Sequence, residues 1–229
     1  MKKTLWIAMV GALVASVIAA SAQEVLSANA VGYIKKTLPA NAGLIAISVP
    51  LNSMTLESNV FGQTSIATEA PVGSVVYFWD EVSQTWSGGS KSIIGWAPAQ
   101  ANRAIPAGEA FFMKGPAGGS AAEVTITGEV PDEAQLTRVM AGGNALSAMA
   151  NPFPVDITFG QSSLASNATM GSVVYFWDVV SQSWSGGSKS IIGWAPAQAS
   201  KVVLAGEGFF MKEAGTVTDW VAAKPYTWP

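Results

Sequence analysis

The sequence predicts an all-β protein in which two tandem β-sandwich-like repeats of about 100 residues each follow a signal peptide. Three observations support this prediction: a long stretch that occurs twice, short apolar runs bounded by glycine or proline, and a basic start followed by an apolar segment. The expected boundaries are 1–22 for the signal peptide, 23–131 for repeat 1 and 132–229 for repeat 2.

The first residues predict export. Lys2 and Lys3 precede an apolar run at 5–20, and small residues at 20–22 form a signal-peptidase site, so the mature chain is expected to begin at Gln23. The run is shorter than the ~20 apolar residues typical of a membrane span, and no stop-transfer charges follow it. We therefore expect no transmembrane segment in the mature chain, and a location in the periplasm, at the cell surface or outside the cell.

The repeat is nearly perfect over one window, 73–101 in repeat 1 and 171–199 in repeat 2. The two copies differ there at only two positions, Glu81/Val179 and Thr85/Ser183. Glycine- and serine-rich segments normally diverge fastest, yet the one that starts at Trp86 is identical in both copies. Packing alone would leave Ser87, Ser90, Lys91 and Gln100 free to vary. Recent gene conversion would explain the identity, and so would two equal contact surfaces.

The length of each repeat predicts that the two repeats fold independently. About 100 residues can close a core, so residues 132–229 should fold when expressed alone. The strand expected around 31–36 has no clear counterpart in repeat 2, and this leaves an exchange of strands between the repeats open.

Within each repeat the local pattern is typical of strands. Apolar runs or alternating residues predict strands in repeat 1 at 44–49, 75–80, 111–113 and 124–127. A turn at 81–84 should lead into a return strand from Thr85, and Asp80 at its entry is expected to bond nearby backbone rather than to catalyse. The only helical signal is about one turn at 56–61, ended by Gly62.

Composition excludes several classes of function. The chain has 12 Lys+Arg and 15 Asp+Glu without basic clusters, so nucleic acid is not an expected partner. It contains no histidine and no cysteine, which removes the usual catalytic triads and zinc sites. The only carboxylate pairs present in both repeats are Asp80 with Glu109 and Asp178 with Glu207. We expect no enzymatic activity, no cofactor and no metal site built from side chains, while calcium held by backbone carbonyls would leave no sequence signal.

Several motifs together resemble a known kind of module. The start "SANAVGY", the repeated "VVYFWD" and the motif "GEGFFMK" are similar to uncharacterised secreted bacterial β-repeat proteins, a module repeated in exported and surface proteins. The resemblance implies a β-sandwich-like module without established catalysis. Repeat 1 departs from the pattern, with "VPLNSMTL" in place of "ANPFPVDI" and "GEAFF" in place of "GEGFF".

Tryptophans are the strongest candidates for contact with a ligand or partner. Trp79 is expected in the core, whereas Trp86 and Trp96 flank small polar residues and are expected to be partly exposed. A flat aromatic ring beside polar donors suits a sugar, and it equally suits a protein interface. The candidate contact residues are Trp86, Lys91, Trp96 and Gln100 in repeat 1, and Trp184, Lys189, Trp194 and Gln198 in repeat 2.

The sequence therefore predicts an exported, non-catalytic protein with a structural or interaction role at the cell surface or in the extracellular matrix. The alternative is a carbohydrate-binding protein that uses the paired tryptophans. The expected partners are a protein or polysaccharide at the cell surface, or further copies of the chain through self-association. If the tryptophans bind in duplicate, Trp96→Ala and Trp194→Ala should each weaken attachment modestly and together nearly abolish it; if they are core, the double variant should unfold.

Overall fold

The computed structural model describes residues 30–55, 58–216 and 219–227, and the predicted signal peptide 1–22 lies outside them. The chain divides into two units, Met1–Ala30 and Val31–Pro229, and the description below concerns the second. That unit consists of antiparallel strands joined by turns and short helices, so the predicted all-β class is confirmed. Across the described ranges, no helix combines the length and the apolar character needed to cross a membrane.

The strands before Pro131 are, in chain order, β1 (Val31–Leu38), β2 (Leu44–Ser48), β3 (Asn59–Val60), β4 (Val75–Asp80), β5 (Thr85–Ser90), β6 (Ala104–Ile105), β7 (Ala110–Lys114) and β8 (Ala122–Glu129). Those after it are β9 (Gln135–Val139), β10 (Leu146–Ala150), β11 (Ile157–Thr158), β12 (Val173–Asp178), β13 (Ser183–Ser188), β14 (Val202–Val203), β15 (Gly208–Lys212) and β16 (Asp219–Ala223). The α-helices are α1 (Ser65–Glu69), α2 (Pro98–Ala101), α3 (Ser163–Asn167) and α4 (Pro196–Ala199), with 3₁₀ turns at Phe61–Gln63 and Phe159–Gln161.

Two four-stranded sheets form the centre of the unit, and their strands follow the same order. The first sheet has the order β2-β7-β4-β5 and the second β10-β15-β12-β13. In the hairpin β4–β5, β4 has the predicted bounds and β5 starts at the predicted residue, Thr85, with Trp79 opposite Trp86 in the ladder. Two-stranded ribbons accompany the sheets: β1 with β8, and β9 with β16.

The position of β9 corrects one expectation. The sequence offered no counterpart in repeat 2 for the strand at 31–36, but β9 pairs with β16 as β1 pairs with β8. The two strands share little sequence because both belong to exposed ribbons, where one face has few packing constraints. All the named ladders join strands on the same side of Pro131.

Helices also differ from the expectation. The helical turn predicted at 56–61 includes residues 56 and 57, which lie outside the described part of the chain. The observed helical segment is the 3₁₀ turn at Phe61–Gln63 followed by α1. The Thr64 hydroxyl caps α1 by accepting a hydrogen bond from the Ala67 N–H at 3.3 Å.

The segment after Trp86 has a loop-like composition, and it forms the edge strand β5, the return strand that the sequence predicts from Thr85. Glycine is required at Gly88, because backbone and ring atoms of β4 lie close to it. A Cβ on Gly88 would overlap the Val76 carbonyl oxygen and lie 2.8 Å from the Tyr77 ring, and one on Gly89 would lie 2.7 Å from the Gln100 side chain. Gly88 therefore serves close packing in the strand, whereas a side chain at Gly89 would only displace the flexible end of Gln100.

Side chains of the sheets alternate between two buried faces. In β7, Phe111 and Met113 point into a core beneath the first sheet, whereas Ala110 and Phe112 point toward the second sheet. Burial on both faces explains why these strands have continuous apolar runs instead of simple alternation. The cluster between the sheets contains Ala46, Ala110, Phe112, Ala148, Ala150, Trp177 and Phe210.

The two sheets meet through reciprocal contacts, in which the same positions of each sheet contact the other sheet. The Trp79 indole, at one end of β4, donates to the Leu146 carbonyl at 2.8 Å, and the Trp177 indole donates to the Leu44 carbonyl at 2.9 Å. Gln84 and Gln182 add a matching pair of contacts, in which each side chain bonds both the N–H and the carbonyl of the same leucine. Each half of the unit thus holds the first residue of the other half's edge strand.

Candidate functional site

Two hollows lie side by side where the sheets meet, and together they form what we call the aromatic cleft. The first has a volume of about 370 Å³ and is lined by Leu44, Tyr77, Trp86, Phe112, Trp177 and Trp184. The second has a volume of about 320 Å³ and is lined by Trp79, Trp86, Leu146, Tyr175, Trp184 and Phe210. Trp86 and Trp184 belong to both hollows, so the cleft is shared by the two repeats.

The strand pattern explains why a cleft forms here. Trp86 and Gly88 lie two residues apart on β5 and therefore face the same side of the sheet. Gly88 stands opposite Tyr77 in the ladder, and because it has no side chain, the tyrosine ring can lie across the strand beside Trp86. The same arrangement recurs on β13, where Gly186 stands opposite Tyr175. The Lys114 amine lies over the Tyr77 ring, 5.5 Å from its centre.

Stacked phenylalanines support the cleft. The Phe112 and Phe210 rings lie 6.2 Å apart between centroids, at an interplanar angle of 16°. Trp86 contacts both rings edge-on, at 5.6 and 5.7 Å, and Trp184 also contacts both. Edge-to-face contacts of this kind fix ring orientation, so both tryptophans are held rigidly at the rim.

The rim tryptophans are the accessible members of the cleft. Trp86 is 46% exposed and Trp184 is 43% exposed. Among the described residues, neither indole N–H donates a hydrogen bond to the protein, unlike the indoles of Trp79 and Trp177. Each therefore presents an apolar ring and a free donor to whatever enters the cleft.

The structure separates Trp96 and Trp194 from this site. The Trp96 ring packs edge-on against the buried Phe61 at 5.0 Å, and its indole donates to the Ala67 carbonyl at 2.9 Å. Trp194 repeats both contacts with Phe159 and Ala165. The pairing expected along the chain, Trp86 with Trp96, is therefore replaced by a pairing across the repeats, Trp86 with Trp184.

The remaining candidates have backbone partners. The Lys91 amine donates to the carbonyls of Ala67, Thr68 and Ala70 at 2.7 to 2.9 Å, and burial lowers its pKa. Gln100 donates to the Gly88 carbonyl at 3.1 Å. Lys189 and Gln198 make the same bonds in the second repeat. The expectation that packing leaves Lys91 and Gln100 free to vary is wrong, because both satisfy backbone carbonyls.

Sequence reasoning missed the tyrosines, phenylalanines and leucines that line the hollows. They occupy alternate positions of strands that are apolar on both faces, and one of these faces finds no partner within its own repeat. That surplus apolar face was a usable signal for an interface between the repeats.

The carboxylates common to both repeats are engaged in local structure. Asp80 accepts hydrogen bonds from the backbone of Val82 and Ser83, and the bond from Ser83 lowers its pKa most. This confirms its predicted role in the turn. Glu109 is buried and accepts from Arg103 at 3.0 Å. In the described parts of the chain, no cluster of three or more acidic residues is arranged to hold a metal ion.

Comparisons with known proteins add nothing to this geometry. No protein-family model, curated protein or solved structure matches the chain. The site must therefore be interpreted from its own residues.

The placement of Trp96 leads to a stability prediction. Trp96→Ala should lower the free energy of unfolding by about 3 kcal/mol, because it removes ring packing on Phe61 and the hydrogen bond to Ala67. Trp86→Ala should cost much less, because that ring is half exposed and its indole donates to no acceptor in the described part of the chain. Urea unfolding of the two variants measures the difference, and equal losses would contradict the assignment.

Proposed function

We propose that this chain is an exported, non-catalytic protein of two β-sandwich-like repeats with a structural or interaction role at the cell surface or in the extracellular matrix, and that it makes contact through the aromatic cleft. The observation that carries the proposal is the pair of half-exposed tryptophans, Trp86 and Trp184, held at the junction of the repeats. Rigid exposed tryptophans next to an apolar hollow are typical anchors of protein interfaces.

Chemistry within the cleft favours binding over catalysis. Its lining consists of leucine, tyrosine, tryptophan and phenylalanine, and it contains no carboxylate, amine or thiol that would serve as a general base or nucleophile. The carboxylates Asp80 and Glu109 are engaged elsewhere, with turn backbone and Arg103. Export is supported by the basic and apolar start of the sequence.

A second candidate is carbohydrate binding, and the free indole donors favour it. A sugar offers an apolar face and a rim of hydroxyls, which match the ring faces and the indole N–H groups of Trp86 and Trp184. Neutral polysaccharides suit the cleft best, because its lining includes no Asp, Glu, Lys or Arg that could pair with a charged sugar.

Retention on insoluble cell-envelope and matrix material tests the proposal. The chain from Gln23 should be retained, and because Trp86 and Trp184 line both hollows, changing either one to alanine should reduce retention about 10-fold or more. Tyr33→Ala is the matched control, because that exposed aromatic lies on β1 outside the cleft. Retention that survives Trp86→Ala/Trp184→Ala would refute the role of the cleft.

Two further measurements separate the candidate functions. A glycan array and tryptophan fluorescence with added polysaccharides should respond if the ligand is a sugar and stay unchanged if it is a protein. Turnover of polysaccharide, ester or peptide substrates at enzyme-like rates would refute the non-catalytic assignment.

A further inference from the structure

Each repeat also carries an exposed apolar turn, which we call the isoleucine tip. The tip between Ser92 and Gly95 presents Ile93 and Ile94, and its copy presents Ile191 and Ile192; these four side chains are 88 to 95% exposed. Adjacent large apolar side chains that are exposed to water are typical of contact sites, because contact removes their apolar surface from water.

The isoleucine tip is rigid. Ser92 and Gly95 exchange two backbone hydrogen bonds, at 2.9 and 3.0 Å, and the Ser92 hydroxyl also donates to the Gly95 carbonyl. On either side of the tip, Lys91 and Trp96 are both bonded to the Ala67 carbonyl beneath it. The isoleucines therefore lose little conformational entropy on binding beyond that of their own side chains.

From these features we infer that the cleft receives the isoleucine tip of a second copy, so that the mature chain self-associates. The inference rests on the proposed function, because it names the partner of the same cleft. Each chain has two tips and two hollows, and one duplicated segment that begins at Trp86 encodes both the cleft wall and the tip. The duplicated segment is then identical in the two repeats because each copy makes the same contact with a neighbouring chain.

Charge and continuity support this occupant. The tip residues Ser92–Gly95 and the residues that line the cleft include no Asp, Glu, Lys or Arg, so the contacting side chains bring no charge of their own into the interface. The Lys114 amine lies 5.5 Å from the centre of the Tyr77 ring. The hollows also continue the apolar packing between the sheets. Trp177 lines the first hollow and Phe210 the second, and both residues belong to the buried cluster between the sheets. An isoleucine pair in a hollow would extend that existing interface.

The position of the tips favours linear assembly. Ser90 pairs with Val75, and Val75 and Leu44 both pair with Lys114, so the first tip leaves its sheet at the Leu44 end. The Leu44 end of the first sheet contacts the Trp177 end of the second sheet, and the second tip leaves its sheet at the other end, beside Val173. The second tip therefore leaves at the opposite end of the unit. Contacts at two opposite ends build open chains rather than closed dimers. This placement also disfavours insertion of both tips into one flat lipid surface.

Sedimentation velocity of the chain from Gln23 over a wide range of concentration tests the inference. The wild type should form species whose mass rises with concentration. Changing Ile93, Ile94, Ile191 and Ile192 to serine should raise the dissociation constant by at least about 10-fold. Val82→Ser/Val180→Ser is the matched control, because both valines are 96% exposed but lie in the other turns.

The outcomes separate this inference from the proposed function. Self-association that is lost in the tip variant and in Trp86→Ala/Trp184→Ala, but kept in the valine control, supports the inference. A wild type that stays monomeric, or association that persists in either the tip or the cleft variant, overturns it. If envelope or polysaccharide binding still depends on Trp86 and Trp184, the proposed function survives that failure. If the tips and the cleft mediate self-association but the chain is not retained on envelope material, the proposed surface role is refuted and the inferred tip-to-cleft contact is supported.

Discussion

Phe112→Ala is expected to lower the free energy of unfolding by about 3–5 kcal/mol. Phe112 is almost fully buried, although it points away from the core of its own repeat. Its ring stacks on Phe210 and contacts Trp177 and Trp184, so most of its packing partners belong to the other half of the chain. Removing the ring leaves a cavity between two sheets that cannot close without moving both.

Phe111→Ala is the matched control, because its neighbour Phe111 is buried in the core of the first half. Urea unfolding should show comparable losses for the two variants. Only Phe112→Ala should also change the fluorescence of Trp86 and Trp184 and weaken binding at the cleft, since Phe112 supports both rings. A Phe112 variant as stable as the wild type would mean that the sheets do not share a core.

The parts of this fold that the sequence predicted are those determined by neighbours in the chain. The hairpin β4–β5 follows from an apolar run, a turn and an aspartate whose carboxylate bonds the backbone of the next residues. In the same way, glycine- and proline-bounded apolar runs located β2 and β7 within a residue or two. Such signals need no knowledge of distant partners.

The cleft could not be predicted because its partners are distant in sequence. Trp86 and Trp96 are close along the chain, but β5 turns the first toward the second sheet while the tip turns the second onto Phe61. The sequence also did not show why position 88 requires glycine, because the atoms that exclude a Cβ there belong to Val76 and Tyr77 of the neighbouring strand β4. Composition alone does not reveal such close approaches.

The interface between the sheets explains one sequence difference between the repeats. Repeat 1 has Ala110 where repeat 2 has Gly208, and the two residues face each other where the sheets cross. A Cβ added to Gly208 would lie 2.6 Å from the Cβ of Ala110, which is too close for two methyl groups. The crossing accommodates one side chain, so the two repeats need different residues at this position.

The difference between Ala110 and Gly208 leads to a prediction about repeat 2 expressed alone. Residues 132–229 expressed alone should fold around their own core, which includes Phe159, Phe176 and Phe209. They would then expose the face that carries Trp177 and Phe210, and this face normally packs against a close copy of itself. We therefore expect the fragment to form a two-fold symmetric dimer in which a second fragment takes the place of repeat 1, with glycine facing glycine at position 208.

Gly208→Ala in the fragment provides the decisive control. It should prevent the dimer, because two alanines would then face each other at the crossing where the full chain tolerates only one. The variant should still fold, since the side chain at this position points away from the fragment's own core and toward the other sheet. Light scattering with circular dichroism distinguishes the outcomes: a folded dimer for the fragment and a folded monomer for its variant. An unfolded or aggregated fragment would instead show that repeat 2 depends on repeat 1 for folding, and a variant that still dimerises would show that the fragments associate through a different face.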